Sequence, residues 1–124
     1  MSILIELAAA FFVLQCGMVW ATELSIPSDS PINLTIENHT FNPSTFTVPS
    51  GKRFRIQLTS HDVSVDEFES YDLKFEKIVV PNDTITVFAG PLHPGTYSFF
   101  DDYHPDQAKG TVTVEPGKGQ DDAR

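Results

Sequence analysis

Beyond residue 21 the apolar residues recur at every second position, not every third or fourth. Ile32-Asn33-Leu34-Thr35-Ile36-Glu37, Thr45-Phe46-Thr47-Val48 and Arg53-Phe54-Arg55-Ile56-Gln57-Leu58-Thr59 all alternate, which is the pattern of strands with one buried face. The third is the cleanest and directs Phe54, Ile56 and Leu58 toward a core. Lys77 to Val80, Thr84 to Phe88, Gly95 to Phe100 and Lys109 to Val114 read as further strands. Turn residues separate them: Asn38 to Pro43, Pro49-Ser50-Gly51-Lys52 with Gly51 placed for positive φ, Pro81-Asn82-Asp83, and Gly90 to Pro94. No stretch beyond residue 21 sustains a helical period. Seven to eight short strands predict an all-β, antiparallel Greek-key β-sandwich. All ten phenylalanines but Phe11 and Phe12 fall within it, enough apolar area for a core without cross-links. Tyr97, Phe99 and Phe100 read as part of that core.

The N-terminal residues 3–21 are almost uniformly apolar, and the sequence turns abruptly polar at Thr22. Small Ala21, with Val19 two before it, fits the end of a secretory signal. A run of this length also suffices for a membrane anchor. Glu6 and the absence of Lys or Arg near the start argue against the signal. Either reading puts the folded part outside the cytoplasm, attached to the membrane if the segment is retained. The expected organisation is a signal peptide or anchor at 1–21, a Ser- and Pro-rich linker at 22–31, one domain at 32–115 and a polar tail at 116–124. The single cysteine, Cys16, lies in the apolar run. The domain therefore has no disulfide framework, no zinc-thiolate site and no cysteine nucleophile.

The chain carries 17 acidic against 8 basic residues, a net charge of −9. Nucleic acid is excluded as a partner, because binding it needs a positive surface that releases counterions. A cation suits this surface better, although acidity alone also serves solubility.

The chemistry concentrates in two stretches. One is the loop Asp101-Asp102-Tyr103-His104, held between the aromatic strand Thr96 to Phe100 and the strand that starts near Gly110. Two carboxylates and an imidazole pinned by sheet at both ends form the kind of loop that holds a metal ion. The other is the acidic run Asp66-Glu67-Phe68-Glu69-Ser70-Tyr71-Asp72-Leu73. Each piece has a plain structural alternative: Asp101 and Asp102 as caps of backbone amides, Glu67 and Glu69 as a solvated strand face.

Pro49-Ser50-Gly51-Lys52 before an alternating strand, then Pro94 to Phe100, a short loop and Lys109 to Val114, resembles a cupredoxin over residues 32–115. In that family the residue after the aromatic pair is a cysteine thiolate, followed by a histidine and a methionine, with another histidine upstream. Here Asp101 takes the cysteine place and His104 keeps the second histidine. Ala108 falls near the methionine, and the upstream place is about Asp66. The domain lacks both the thiolate and the thioether, so a blue His2Cys centre is excluded.

The acidic run resembles the cupredoxin-like domains that accompany bacterial periplasmic iron-uptake systems. That resemblance implies a periplasmic iron-binding or ferrous-oxidising component working with a membrane permease, and it carries over Glu67, Glu69, Asp102 and His104. Asp101 joins them on chemical grounds. Carboxylates are hard donors and imidazole is borderline, so the set suits iron, manganese or non-blue copper(II) rather than copper(I). Glu67 and Glu69 would share one side of a strand, opposite Phe68. His39, His61 and His93 are expected on the surface, with His61 near enough to substitute as a ligand. The competing reading is a metal-free β-sandwich module that docks a partner through its acidic face. A hydrolase is disfavoured, because no nucleophile elbow is present.

Overall fold

The structure, a computed structural model, describes residues 30–117. The expected signal or anchor, most of the linker and residues 118–124 of the tail lie outside the described residues. Among those described there is no helix. The strands are β1 (Ile32–Glu37), β2 (Thr40–Asn42), β3 (Thr45–Pro49), β4 (Phe54–Ser60), β5 (Asp66–Ser70), β6 (Phe75–Val79), β7 (Thr84–Ala89), β8 (Gly95–Asp101) and β9 (Lys109–Glu115). The all-β sandwich is as expected, with nine strands rather than seven or eight. The extra one is β2, three residues inside what the sequence presents as a turn.

The strands form two sheets, ordered β2-β1-β4-β7 and β3-β9-β8-β5-β6. Both are mixed rather than wholly antiparallel: β1 runs parallel to β4 and β3 parallel to β9. The alternation decides which face is buried. Leu34 and Ile36 of β1, Ile56 and Leu58 of β4, and Ile85, Val87 and Ala89 of β7 turn inward from one sheet. Phe68 of β5, Phe99 of β8, and Val112 and Val114 of β9 meet them from the other. Phe54 is only partly buried and packs at the edge of this core.

The aromatic centre is built around Phe99, whose ring lies edge-on to Phe41 at 5.0 Å and to Phe68 at 5.5 Å. A Cβ on Gly110 would run into the Phe99 ring and the Ser44 carbonyl oxygen. The missing side chain therefore lets β9 close over the ring. Gly51 has φ 74°, as its turn demands. Phe100 does not join the core as expected. It alternates outward and packs edge-on to Tyr71, with ring centroids 5.2 Å apart.

Candidate metal centre

On β5 and on β8 a buried, inward phenylalanine is followed, at the end of the sandwich, by a carboxylate at the next inward position. On β5 it is Asp66, two residues before Phe68; on β8 it is Asp101, two residues after Phe99. The strands are antiparallel, with Phe68 opposite Asp101. The carboxylates are thus diagonal neighbours on one face, only 1% and 0% exposed.

Two turns close this end. The β8–β9 loop brings in His104, whose N–H donates to the Asp101 carbonyl at 3.0 Å. The β1–β2 turn brings in His39. The imidazoles stack with centroids 3.6 Å apart and 22° between planes. His104 Nδ1 lies 3.0 Å from Asp101 Oδ2 and 3.8 Å from Asp66 Oδ1. His39 Nδ1 lies 3.7 Å from the same Asp66 oxygen. One donor atom from each of His39, Asp66, Asp101 and His104 falls within 4.8 Å of every other. Donors bound at about 2.0–2.2 Å sit roughly 3.4 Å apart in a tetrahedron and about 4.2 Å apart across a square. A small contraction would close this set around an ion.

Burial, with the neighbouring Asp101 and Asp62 carboxyls adding to it, pushes Asp66 up to about 8. Burial also opposes the Asp101 anion. The Glu67 N–H, the Asp66 carboxyl, the His104 ring and the Tyr103 N–H outweigh it and hold Asp101 below the ordinary carboxylate range. At neutral pH the pair therefore retains a proton, on Asp66, because two buried anions this close cannot both stand unpaired. Beyond the proton that Asp66 shares with the neighbouring carboxyls, neither Asp66 oxygen, nor His39 Nδ1, has a hydrogen-bond partner, although all three are buried. Orphaned buried donors and acceptors are rare. Here they converge on one point, with two nitrogens and two oxygens that suit a borderline cation such as copper(II). By this test the residues fit a metal ion.

The opposite face of the same strands carries a second acidic group. Glu67, Glu69 and Glu76 approach one another within the same 4.8 Å limit, with Glu69 paired to Glu76 across β5 and β6. The Asp102 N–H donates to the Glu67 carbonyl at 2.9 Å, placing Asp102 beside them. Loss of hydration, then repulsion from Glu76 and Asp102, raises Glu67. Glu69 rises for the same first reason, then through Asp102 and Glu76. Tyr103 and Tyr71 flank the group. No described Lys or Arg forms an ion pair with any carboxylate.

The five residues anticipated as ligands therefore divide. Asp101 and His104 belong to the buried centre, while Glu67, Glu69 and Asp102 lie on the outer face. Asp72, from the same acidic run, instead accepts the Ser98 N–H at 2.8 Å and its hydroxyl at 3.0 Å. His39, expected on the surface, completes the buried cluster. His61 and His93 are exposed. Ala108 is fully buried, and its carbonyl accepts the Asp101 N–H at 3.1 Å. Asp66 was legible from its register with Phe68. His39 stands second in an Asn-His pair closing a two-residue hairpin, which was the only clue to its direction.

A two-sheet sandwich with a cluster of metal-type donors at one end, contributed by the β8–β9 loop and the strand beside it, defines a cupredoxin-like domain. The sequence signature of that family, the cupredoxin-like domain, matches residues 4–114, and the chain belongs to it. An uncharacterized protein of Rickettsia prowazekii (strain Madrid E) is 40% identical over 83 residues. The match spans 67% of this chain and 66%, just under two thirds, of that protein. Among solved structures, the purple cupredoxin of Nitrosopumilus maritimus superposes with a TM-score of 0.54 at 18% identity. That match covers 68% of this chain and 99% of the other. Reduced auracyanin of Roseiflexus castenholzii gives 0.59 at 19% identity, over 71% and 99% of the two chains. The metal-binding domain of the Cu(I)-exporting P-type ATPase CopA of Streptococcus pneumoniae D39 gives 0.62 at 14% identity, over 72% and 88%. At these identities the structural likeness concerns the fold.

Proposed function

We propose that this chain is a metal-binding, cupredoxin-like component of a bacterial iron-uptake system, working outside the cytoplasm beside a membrane permease. Its resident ion is copper(II), held by His39, Asp66, Asp101 and His104, and its cargo is iron. The observation that carries this reading is the convergence of the unpartnered Asp66 oxygens and His39 Nδ1 on Asp101 and His104. The CopA domain, similar in fold and solved with Cu(I), supports copper as an ion that this fold can hold. So does the affinity order of divalent metals.

Copper(II) held by His39, Asp66, Asp101 and His104 would supply a one-electron acceptor, and iron(II) would be the donor of that electron, one per site. The protein's own residues arrange the rest. Phe68 and Phe99 wall the inner side of the centre and exclude water. The Glu67 and Tyr103 N–H groups, at 2.8 and 3.1 Å, hold Asp101 Oδ1, leaving Oδ2 turned toward His104. On the outer face Glu67, Glu69, Glu76 and Asp102 offer hard donors to the iron, and they favour iron(III) over iron(II) by charge.

The test is titration of copper(II) into the metal-free full-length chain, followed by calorimetry and electron paramagnetic resonance. One tightly bound equivalent with nitrogen couplings and no thiolate charge-transfer band is expected. Addition of iron(II) should then bleach the copper(II) signal. No heat with either metal would sink the proposal. Copper binding without bleaching would remove the iron-oxidising step alone.

A further inference from the structure

We propose that Asp62 is the positioning residue for His39, fixing the backbone of the β1–β2 turn so that Nδ1 is presented to the ion. This rests on the reading of the buried centre given above. The hairpin from β1 to β2 closes through Asn38 and His39, with φ of 51° and 56°, and Glu37 faces Thr40 across it. Two positive φ angles in a two-residue loop are the type I′ arrangement, whose second position favours glycine. A residue with a Cβ occupies that conformation uncommonly, and persists there where its surroundings over-determine it.

Asp62 supplies the determination. Its carboxylate accepts the His39 N–H, at 3.3 Å to Oδ1 and 3.4 Å to Oδ2. Asp62 is 6% exposed, and its backbone is itself anchored. Its N–H donates to Ser60 Oγ at 3.2 Å. The His61 N–H beside it donates to the Ile36 carbonyl at 2.8 Å, and the Ser60 N–H to the Asp83 carbonyl at 2.9 Å. The carboxylate thus rides on a segment tied to β1 and to the β6–β7 turn.

The imidazole is treated differently from the amide. His39 Nδ1 is 3.4 Å from Asp62 Oδ2 and 3.7 Å from Asp66 Oδ1, yet hydrogen-bonded to neither. Asp62 therefore secures the turn while leaving the ring nitrogen available to a cation. Outer-shell groups that orient a ligating histidine, usually through its ring, cost about 10–100-fold in affinity when removed; Asp62 would act on the same orientation through the backbone.

The experiment loads the full-length chain with copper(II) and reads both affinity and the number of coupled nitrogens by electron paramagnetic resonance. The unaltered chain should show two. Asp62→Ala should show one and bind roughly 10-fold or more weakly. Asp62→Asn, which still offers an oxygen to the His39 N–H, should restore the second nitrogen. His39→Gly should match Asp62→Ala, and the double variant should be no worse than His39→Gly alone, since both remove one ligand. Asp62→Ala that keeps both nitrogens, or losses that add in the double variant, would overturn the role. Should Asp62→Ala fail to fold, Asp62→Glu, which displaces the carboxylate by a methylene, must lose the second nitrogen instead. An unaltered chain that ignores copper(II) would overturn the centre itself, a result distinct from any failure of Asp62.

Discussion

Replacing Asp66 by asparagine should stabilise the metal-free protein at neutral pH while destroying its affinity for metal. In the folded chain Asp66 holds its proton up to about 8, against 3.8 for the free carboxyl. Between those values the unfolded chain binds fewer protons than the folded one, so stability falls as pH rises. The fall is fully developed above the folded value and absent below the unfolded one. Its limiting slope is about 1.4 kcal/mol per pH unit for a single proton. Asp101, held low by its hydrogen bonds, acts in the opposite sense, its stabilisation being lost only as pH drops below the ordinary carboxylate range. From pH 5 to 8 the net loss attributable to Asp66 is then roughly 2–4 kcal/mol, a large share of the roughly 5–15 kcal/mol that holds a typical domain together.

The amide of Asp66→Asn has no proton to lose. The variant's advantage should already be present at pH 5, above the unfolded value, and should widen by about 2–4 kcal/mol between pH 5 and pH 8, some 10–25 °C in Tm for a domain of this size. Urea unfolding at pH 5, 6, 7 and 8, with chelator present and the m-value checked for constancy, measures this directly. The comparison between the two proteins isolates Asp66 from the imidazoles beside it. A flat or rising profile for the unaltered chain, or the same slope in both proteins, would refute the reasoning. With copper(II) the order should invert, because a native-state ligand stabilises only the chain that can bind it.

Three further outcomes follow from particular contacts. Gly110→Ala would drive a methyl into the Phe99 ring and the Ser44 carbonyl, and should cost about 2 kcal/mol or more in chemical denaturation. His39→Gly relieves a left-handed residue, so the metal-free Tm should hold or rise slightly by calorimetry while copper affinity drops at least roughly 10-fold. Glu67→Gln with Glu69→Gln removes repulsion that raises both groups. It should leave the nitrogen couplings and coordination type of copper(II) unchanged and stop iron(II) from bleaching the signal; a changed coordination type would place these carboxylates in the buried centre.

Much of the fold was legible because alternation is a local signal. Wherever apolar and polar residues traded places, as in β1, β3 and β4, a strand with its apolar side toward the core is present. β2 escaped because its three residues, Thr40 to Asn42, are too few to alternate and sit among turn formers. The parallel pairs β1–β4 and β3–β9 were hidden for another reason: pairing direction depends on the route of the chain between strands, which periodicity does not encode. The same limit explains the site. Asp101 and His104 share one loop and were read together, whereas Asp66 and His39 reach them only through sheet register and a hairpin. Glu67 and Glu69 were read correctly as one face of a strand and Phe68 as the other. Setting Asp101, which shares the Phe68 face, with those glutamates ignored the two-residue period that separates them.

That period also explains how one short stretch of sheet can serve two kinds of cation. Asp66 and Glu67 are chain neighbours, as are Asp101 and Asp102, and in each pair the first points into the sandwich end and the second out of it. The faces are joined by the shortest route a protein offers, since the Glu67 N–H donates directly to Asp101 Oδ1 at 2.8 Å and the Asp102 N–H to the Glu67 carbonyl at 2.9 Å. A charge arriving on the outer carboxylates acts on Asp101 through this bridge and across a sheet of low dielectric, with little intervening water to screen it. Inner and outer carboxylates therefore cannot be altered independently in sign: neutralising the outer face must lower the affinity of the inner donors for a cation and raise the potential of a bound copper ion. The size of that rise in Glu76→Gln, whose side chain meets the Glu67 carboxylate but neither the backbone bridge nor the buried donors, measures the field. A potential unmoved by Glu76→Gln and by Glu67→Gln alike would show the two faces to be electrically separate.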